Sequence, residues 1–267
     1  MSTARAVVPT SSSLTKSSFG NSVRDRVSSA EWNARVELAA LYRLAAHFGW
    51  TDTIYTHLSL RVPDEFSFLI NPFGLLHEEI TASSLVKVDV DGAIIDDPTG
   101  IGINRAGFVI HGAIHQGRHD VACIIHTHTP AGVGVAAQKN GLLPISQHAA
   151  ILAGSIGYHE FEGIAVDRDE QRRLVDDLGP RPVLILRNHG LLTAGRSPGE
   201  ALYFMLLVER ACQIQIAAQS GGSELNPISE ASIAATQAVI KGVDLDLSRD
   251  WRAMMRLVER IGPGYCE

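Results

Sequence analysis

Two histidines one residue apart close an apolar run in the stretch 121–132, VACIIHTHTPAG, just before Pro130. A strand shows alternate side chains on one face, so His126 and His128 project to the same side and can grip one metal ion. Taken alone, the pattern reads first as two polar residues at a strand end. A rival pair lies upstream, where His111 and His115 stand four apart on one helical face, an established ligand spacing. No Glu sits beside the first of them, as it would in a zinc hydrolase helix. Another histidine, His189, falls in Arg187-Asn188-His189-Gly190 between two apolar runs. Gly190 is expected to permit a tight turn that displays His189 at its tip between buried strands. Two adjacent carboxylates, Glu78 and Glu79, stand in LLHEEIT, which by itself reads as a solvated loop or helix start. Three neutral imidazoles with an open position, plus a nearby carboxylate, make up a catalytic metal site in which the carboxylate is ligand or base.

Elements must bring these residues together. Ser28 and Glu31 form a capping box, and Trp32, Val36, Ala39, Ala40 and Leu44 continue it as a helix over about 30–48, closed by Gly49. The stretch 53–62 alternates as a strand, with His57 on its more polar face, and 66–70 is a second strand ended by Asn71-Pro72-Phe73-Gly74. A hairpin is expected over 85–95 and a helix over 106–117. Beyond the histidine strand, the reading is a helix over 134–138, a loop at 142–144 and a short strand over 156–159. A helix starts at Asp167, with Glu170 three residues on, and reaches about 178. Ser197-Pro198-x-Glu200 opens a long apolar helix to about 219 that Gly221-Gly222 ends. A polar segment follows, then a helix over 250–261 and a tail carrying Tyr265. Strands and helices interleave without an internal repeat, which reads as one α/β domain.

The chain of 267 residues carries a net charge of −6 and 45% hydrophobic residues, an ordinary composition for a globular protein with a substantial core. The charge and the lack of a Lys/Arg cluster argue against a nucleic-acid partner. Cys123, Cys212 and Cys266 are odd in number and scattered, which fits a reducing compartment. No run of 18 apolar residues occurs, and the Ser/Thr-rich start lacks an apolar signal core, so no membrane partner and a cytoplasmic location are expected. Residues 1–27 read as a mobile or extended arm, 28–222 as the domain, and 223–267 as a helical tail that packs on the domain or a neighbouring subunit.

Glu78-Glu79-Ile80-Thr81 before a Leu-Val-Lys-Val-Asp strand, Ile125-His126-Thr127-His128-Thr129-Pro130, and Leu186-Arg187-Asn188-His189-Gly190-Leu191-Leu192 occur in that order. The combination resembles the class II aldolase/adducin family over roughly 31–220, and GLLHEEITASSLVKVD, QKNGLLPIS and ILRNHGLL are especially similar to its adducin-like branch. The resemblance implies one three-layer α/β/α domain with a mainly antiparallel sheet, assembled as a homotetramer with a site at each subunit interface. It implies that His126, His128 and His189 ligate one divalent metal per chain, zinc first, with manganese or iron as alternatives. His111 and His115 fall back to supporting or core roles, and Glu78 matches the catalytic acid/base, with Glu79 its near alternative. Tyr265 is a candidate to reach a neighbour's site or to pack.

Such a metal chelates a substrate carbonyl and its neighbouring oxygen and stabilises an enediolate, while Glu78 moves a proton at the adjacent carbon. Sugar-phosphate aldolases of the family carry Gly-Asn-x-Ser and a Ser/Thr-Gly phosphate loop. This chain has Thr56-His57-Leu58-Ser59 and Asn71-Pro72-Phe73-Gly74, so His57, Asn71 and Gly74 are candidate substrate contacts and His57 a candidate carboxylate donor. Gln147-His148 stands where those aldolases place a catalytic Tyr, which adds His148. The expected function is a metal-dependent lyase that cleaves or forms a carbon–carbon bond in a small hydroxy- or oxo-acid. The alternatives are a decarboxylase or non-heme iron oxygenase on a related acid, including aromatic acids, and a noncatalytic adducin-like interaction protein.

Overall fold

The computed structural model describes residues 19–163, 168–242 and 247–267. Its centre is an eight-stranded sheet in the order β4-β3-β2-β1-β5-β8-β7-β6. The strands are β1 (His57–Arg61), β2 (Ser67–Ile70), β3 (Val86–Asp89), β4 (Ile94–Asp96), β5 (Cys123–Thr127), β6 (Ile156–His159), β7 (Val183–Leu186) and β8 (Gly190–Gly195). Every neighbouring pair is antiparallel except β6 and β7, so the sheet is mixed rather than purely antiparallel.

Period-two alternation splits the core between the two faces. On one face Leu58, Leu60, Leu69, Cys123, Ile125, Ile185 and Leu191 pack with residues of α2 (Ser29–His47) and α7 (Pro198–Ser220). On the other, Ile124, Leu184, Leu186, Leu192 and Ala194 pack with α3 (Arg105–Gly117) and α6 (Arg168–Leu178). The three-layer α/β/α expectation holds. By length and composition α7 could cross a bilayer, but it lies against the sheet with Leu202, Met205, Val208 and Cys212 in the core.

Several boundaries differ from the sequence reading. The strand expected from residue 53 begins at His57, because Thr53 sits at φ +50 and Tyr55 N–H bonds Asp52 O in a turn. The first described turns of the supposed arm form α1 (Phe19–Arg26), anchored by buried Val23 against Trp32 and Ala82. The helix after the histidine strand, α4 (Pro130–Ala136), starts four residues earlier than expected, since Thr129 caps it and Pro130 fits its first turn. Two helices go beyond the sequence reading: the short α5 (Gln147–Ile151), and α8 (Glu230–Gly242), which carries Ile233, Val239 and Ile240 yet has no buried residue and is tied by Gln237 to Ala150 O and Ile151 O. The Asp167 cap falls outside the described residues. The tail lies on its own chain: α9 (Ser248–Ile261) packs on α2 and α7, and buried Tyr265 donates its hydroxyl to Glu259 while its carbonyl accepts from Ala82 N.

One buried ionic cluster ties α2 to the sheet. Arg35, fully buried, donates to Glu31 at 2.9 Å and to Leu85 O at 2.8 Å, and Lys87 donates to the same Glu31 at 2.8 Å. Removing Arg35 leaves buried Glu31 with Lys87 alone and takes a donor from the Ala82 and Leu85 carbonyls. Arg35→Ala should therefore cost on the order of 3–5 kcal/mol. A urea unfolding midpoint that barely moves would show that the cluster is not what holds α2.

Candidate metal centre

The register of three strands assembles the site. His57 of β1 pairs directly with His126 of β5, and β5 pairs with β8 through His126 and Leu192. The chain then leaves β5 at His128 and is turned at once by the Thr129 cap of α4. His189 sits in the connection between β7 and β8, where His189 N–H closes a turn onto Leu186 O and Asn188 takes the left-handed conformation at φ +56. The sharp bend therefore belongs to Asn188. Gly190 is needed for another reason, since a Cβ there would stand 2.2 Å from Thr127 O. A side chain at 190 would push β8, and His189 with it, away from β5.

The result is a convergence of imidazoles. His126 Nε2 lies 2.8 Å from His128 Nε2 and 3.3 Å from His189 Nε2, and the last two are 3.0 Å apart. Ligands about 2.0–2.1 Å from a common centre stand roughly 2.9 Å apart at octahedral angles and 3.3 Å at tetrahedral ones, so the triangle fits a divalent metal. The other ring atoms point the same way: His126 Nδ1–H donates to Leu191 O at 2.9 Å and His128 Nδ1–H to Asp52 at 3.0 Å, leaving each Nε2 bare. Burial pushes the His126 pKa well below its ordinary value, and burial with the nearby His128 and His159 lowers that of His189 to about 4. Unprotonated rings with converging lone pairs are what a cation requires. Among the described residues, this is the one group of three or more His, Cys, Asp or Glu side chains placed to hold a metal.

A cleft of about 350 Å³ opens beside the triad, lined by Asp52, Tyr55, His57, Asn104, Gly107 and Phe161 among others. His57 lies with Ser59 on the more polar face of β1, as expected, but that face is covered by α3 and His57 is 4% exposed. Its Nδ1 lies 2.9 Å from His111 Nε2, and Ser59 Oγ bridges His111 Nδ1 and His115 Nε2 at 2.5 and 2.8 Å. His111 and His115 thus stand behind the site rather than forming a rival to it.

The remaining candidates are not brought to this cleft. Asn71 is buried on the opposite face of the sheet, accepting from Tyr42 hydroxyl at 2.8 Å, because it stands beside Leu58 and not His57 in the pleat. Gly74 is exposed at φ +143, and half-buried His148 lies on α5; neither lines the cleft. Glu78 and Glu79 are both exposed in the short 3-10 turn His77–Glu79. Glu79 is committed to the turn, accepting from Leu76 N at 2.8 Å. The turn docks through His77, whose Nε2 is 3.4 Å from Thr56 Oγ1, so Glu78 emerges near the end of the sheet that carries His57. Sequence reasoning missed Asp52, whose sole signal was its position in a polar turn ahead of the strand.

Comparison with known proteins agrees with this geometry. Residues 36–216 match the Class II Aldolase and Adducin N-terminal domain. The chain belongs to that family. It is 56% identical to the aldolase II superfamily protein from Pseudomonas syringae, whose crystal structure superposes with a TM-score of 0.89 over 92% of this chain and 100% of that one. L-fuculose 1-phosphate aldolase from Glaciozyma antarctica PI12 is 28% identical, with a TM-score of 0.78 over 88% and 92% of the two chains. Alpha-adducin of Rattus norvegicus is 51% identical over 195 residues, which is 71% of this chain but 26% of the adducin. Class II aldolases typically depend on a divalent metal, and the triad is a group able to hold one.

Two predictions follow from the geometry. Asp52→Asn should weaken metal binding about 10–100-fold by loosening His128; each His→Ala change in the triad should abolish stoichiometric metal, whereas full retention in all three, with loss in His111→Ala, would move the site. The second concerns acid. His77 and His115 are buried, with pKa values lowered by desolvation to about 4 and about 3. Both lie below the value of about 6.5 for an unfolded chain, so the unfolded state binds more protons between those limits. Their contribution is fully present above about pH 6.5 and is lost as pH falls toward about 4 for His77 and about 3 for His115. Urea unfolding of the metal-free protein should show stability declining over that window, with a shallower decline in His77→Phe; a flat profile would refute the neutral-buried assignment.

Proposed function

We propose that the chain is a metal-dependent lyase that makes or breaks a carbon–carbon bond in a small, unphosphorylated hydroxy- or oxo-acid. The observation that carries this reading is the convergence of three Nε2 atoms at a cleft whose described lining holds no lysine or arginine. That lining offers a carboxylate or hydroxy-ketone neutral donors beside the metal site. A divalent cation, zinc foremost with manganese or iron as alternatives, supplies Lewis-acid withdrawal of charge from substrate oxygens when bound.

The chain's own residues do the rest. Tyr55 and Phe161 wall the cleft with apolar surface, and His57 orients the acid from beneath. Glu78 moves the proton at the reacting carbon, a role supported by its freedom from the turn that occupies Glu79. Because Glu78, Tyr55, Leu76 and Phe161 are all exposed in one chain, the working site is proposed to close at a subunit interface of a homotetramer. The identity to alpha-adducin favours a second reading, a noncatalytic interaction domain in which the triad is retained for structure.

The test is metal-replete protein screened against 2-oxo acids and aliphatic and aromatic hydroxy acids for carbonyl fragments and carbon dioxide. The lyase reading expects a released oxo acid or aldehyde. Carbon dioxide alone would reassign the site to decarboxylation, and no turnover of any acid would favour the adducin-like reading. Glu78→Gln should retain metal and lose turnover by about 10²–10⁴, the range for an acid/base group; normal turnover in it, with loss in Glu79→Gln, would shift the assignment by one residue.

A further inference from the structure

Two of the three metal-site histidines have their outer ring nitrogen answered by the protein, His126 by Leu191 O and His128 by Asp52. Among the described residues His189 has no such partner: its polar contacts run through Nε2 and its backbone N–H. A neutral histidine that ligates a metal through Nε2 carries its hydrogen on Nδ1, and that hydrogen is normally given to a carboxylate, a carbonyl or a water.

On the side of the sheet covered by α6, a pocket of about 20 Å³ touches His189, His159, Glu170, Leu174 and Leu186. His159 reaches it from β6, where it pairs with Leu186, three residues ahead of His189. Its ring is held on one side only: Nδ1–H donates to Asp177 at 2.8 Å, whereas Nε2 is buried without a hydrogen-bond partner. Glu170 stands seven residues before Asp177, two turns away on the same face of α6, and its buried carboxylate stops 3.9 Å from that nitrogen. The gap is too wide for a direct hydrogen bond, yet it suits a third atom that bonds each group at roughly 2.7–3.0 Å.

Room and polarity agree on what that atom is. A pocket needs roughly 10–15 Å³ to hold one water, and a buried water bonds about three otherwise unanswered polar groups. Water donates and accepts, so it meets the Glu170 carboxylate as a donor, His159 Nε2 with or without a hydrogen, and a third group as an acceptor. A metal ion would need further ligands, and among the described residues no other His, Cys, Asp or Glu is grouped with these two for that purpose. We infer that the pocket seats one ordered water that accepts the Nδ1–H of His189 and is held by Glu170 and His159, which makes these two the positioning residues of the third metal ligand. The support is of the kind that Asp52 gives His128, with a water interposed. Asp177 fixes the His159 ring from the far side. The inference rests on the triad holding a cation and on no particular reaction.

Two measurements on the full-length protein test it. A crystal structure of the zinc-loaded protein should show one water within about 3.2 Å of His189 Nδ1, His159 Nε2 and a Glu170 oxygen. His189 Nδ1 bonded to another group, or a pocket holding a metal ion or no solvent, would overturn the inference. Zinc affinity, read by competition with a chelator, should fall about 10–100-fold in Glu170→Leu. It should return close to the parent value in Glu170→Gln, which keeps an oxygen for the water to donate to. His159→Phe, which fills the pocket, should weaken zinc as Glu170→Leu does, and it carries the test if that variant fails to fold. Parent affinity in the Leu or Phe variant, or a Gln variant as weak as the Leu one, would refute the water-borne support. A parent protein that takes up no zinc would remove the metal centre itself, and the inference with it.

Discussion

Three imidazole Nε2 atoms are held within 3.3 Å of one another, and where their lone pairs face each other, as the Nδ1 bonds of His126 and His128 direct for those two rings, they repel. That arrangement exists only because backbone forces it, and most of the molecule can be understood as the means. Strand β5 is clamped between β1 and β8, so His126 cannot slide without shifting every side chain of both neighbours. The Thr129 cap turns the chain immediately after His128, and Gly190 lets β8 approach Thr127 closely enough for His189 to meet the other two. The repulsion is relieved by a cation, which is why the same geometry that looks strained in the bare chain is preorganised when filled.

A second constraint is that β1 must pass under the site with polar residues facing a covered side. His57 and Ser59 alternate with Leu58 and Leu60, which feed the opposite core. Putting polar groups beneath α3 is affordable only if each finds a partner, and the His111 and His115 pair, four apart on that helix, provides them. The helical histidine spacing that resembles a metal motif is here a hydrogen-bonding device. Desolvation keeps these rings neutral, so the region adds no charge to compete with a cation next door.

What was legible in the sequence follows the same division. Strongly periodic elements were readable: Ser29–His47, Arg105–Gly117 and Pro198–Ser220 lie within a residue or two of expectation because capping residues and apolar stripes agree there. His126 and His128 close one apolar run and His189 stands between two, and the family resemblance implied that they form one set; the structure brings the three together. Helix α8 was not legible, because it rests on the rest of the chain through Gln237 and shows no buried stripe. Asn71 misled because sequence places it at the right end of the sheet while pleat parity sends its side chain to Tyr42. Asp52 and the orientation of the Ser59 chain depend on contacts between residues tens of positions apart, to which local patterning is blind.

The central claim is that one divalent metal is held by three imidazoles through Nε2, with positions left for substrate oxygens. X-ray absorption at the zinc edge of protein loaded with one equivalent tests it most directly. The account predicts about three imidazole nitrogens at roughly 2.0–2.1 Å, with one or more light oxygen scatterers completing the shell. A shell with sulfur, or with fewer than two imidazoles, would contradict it.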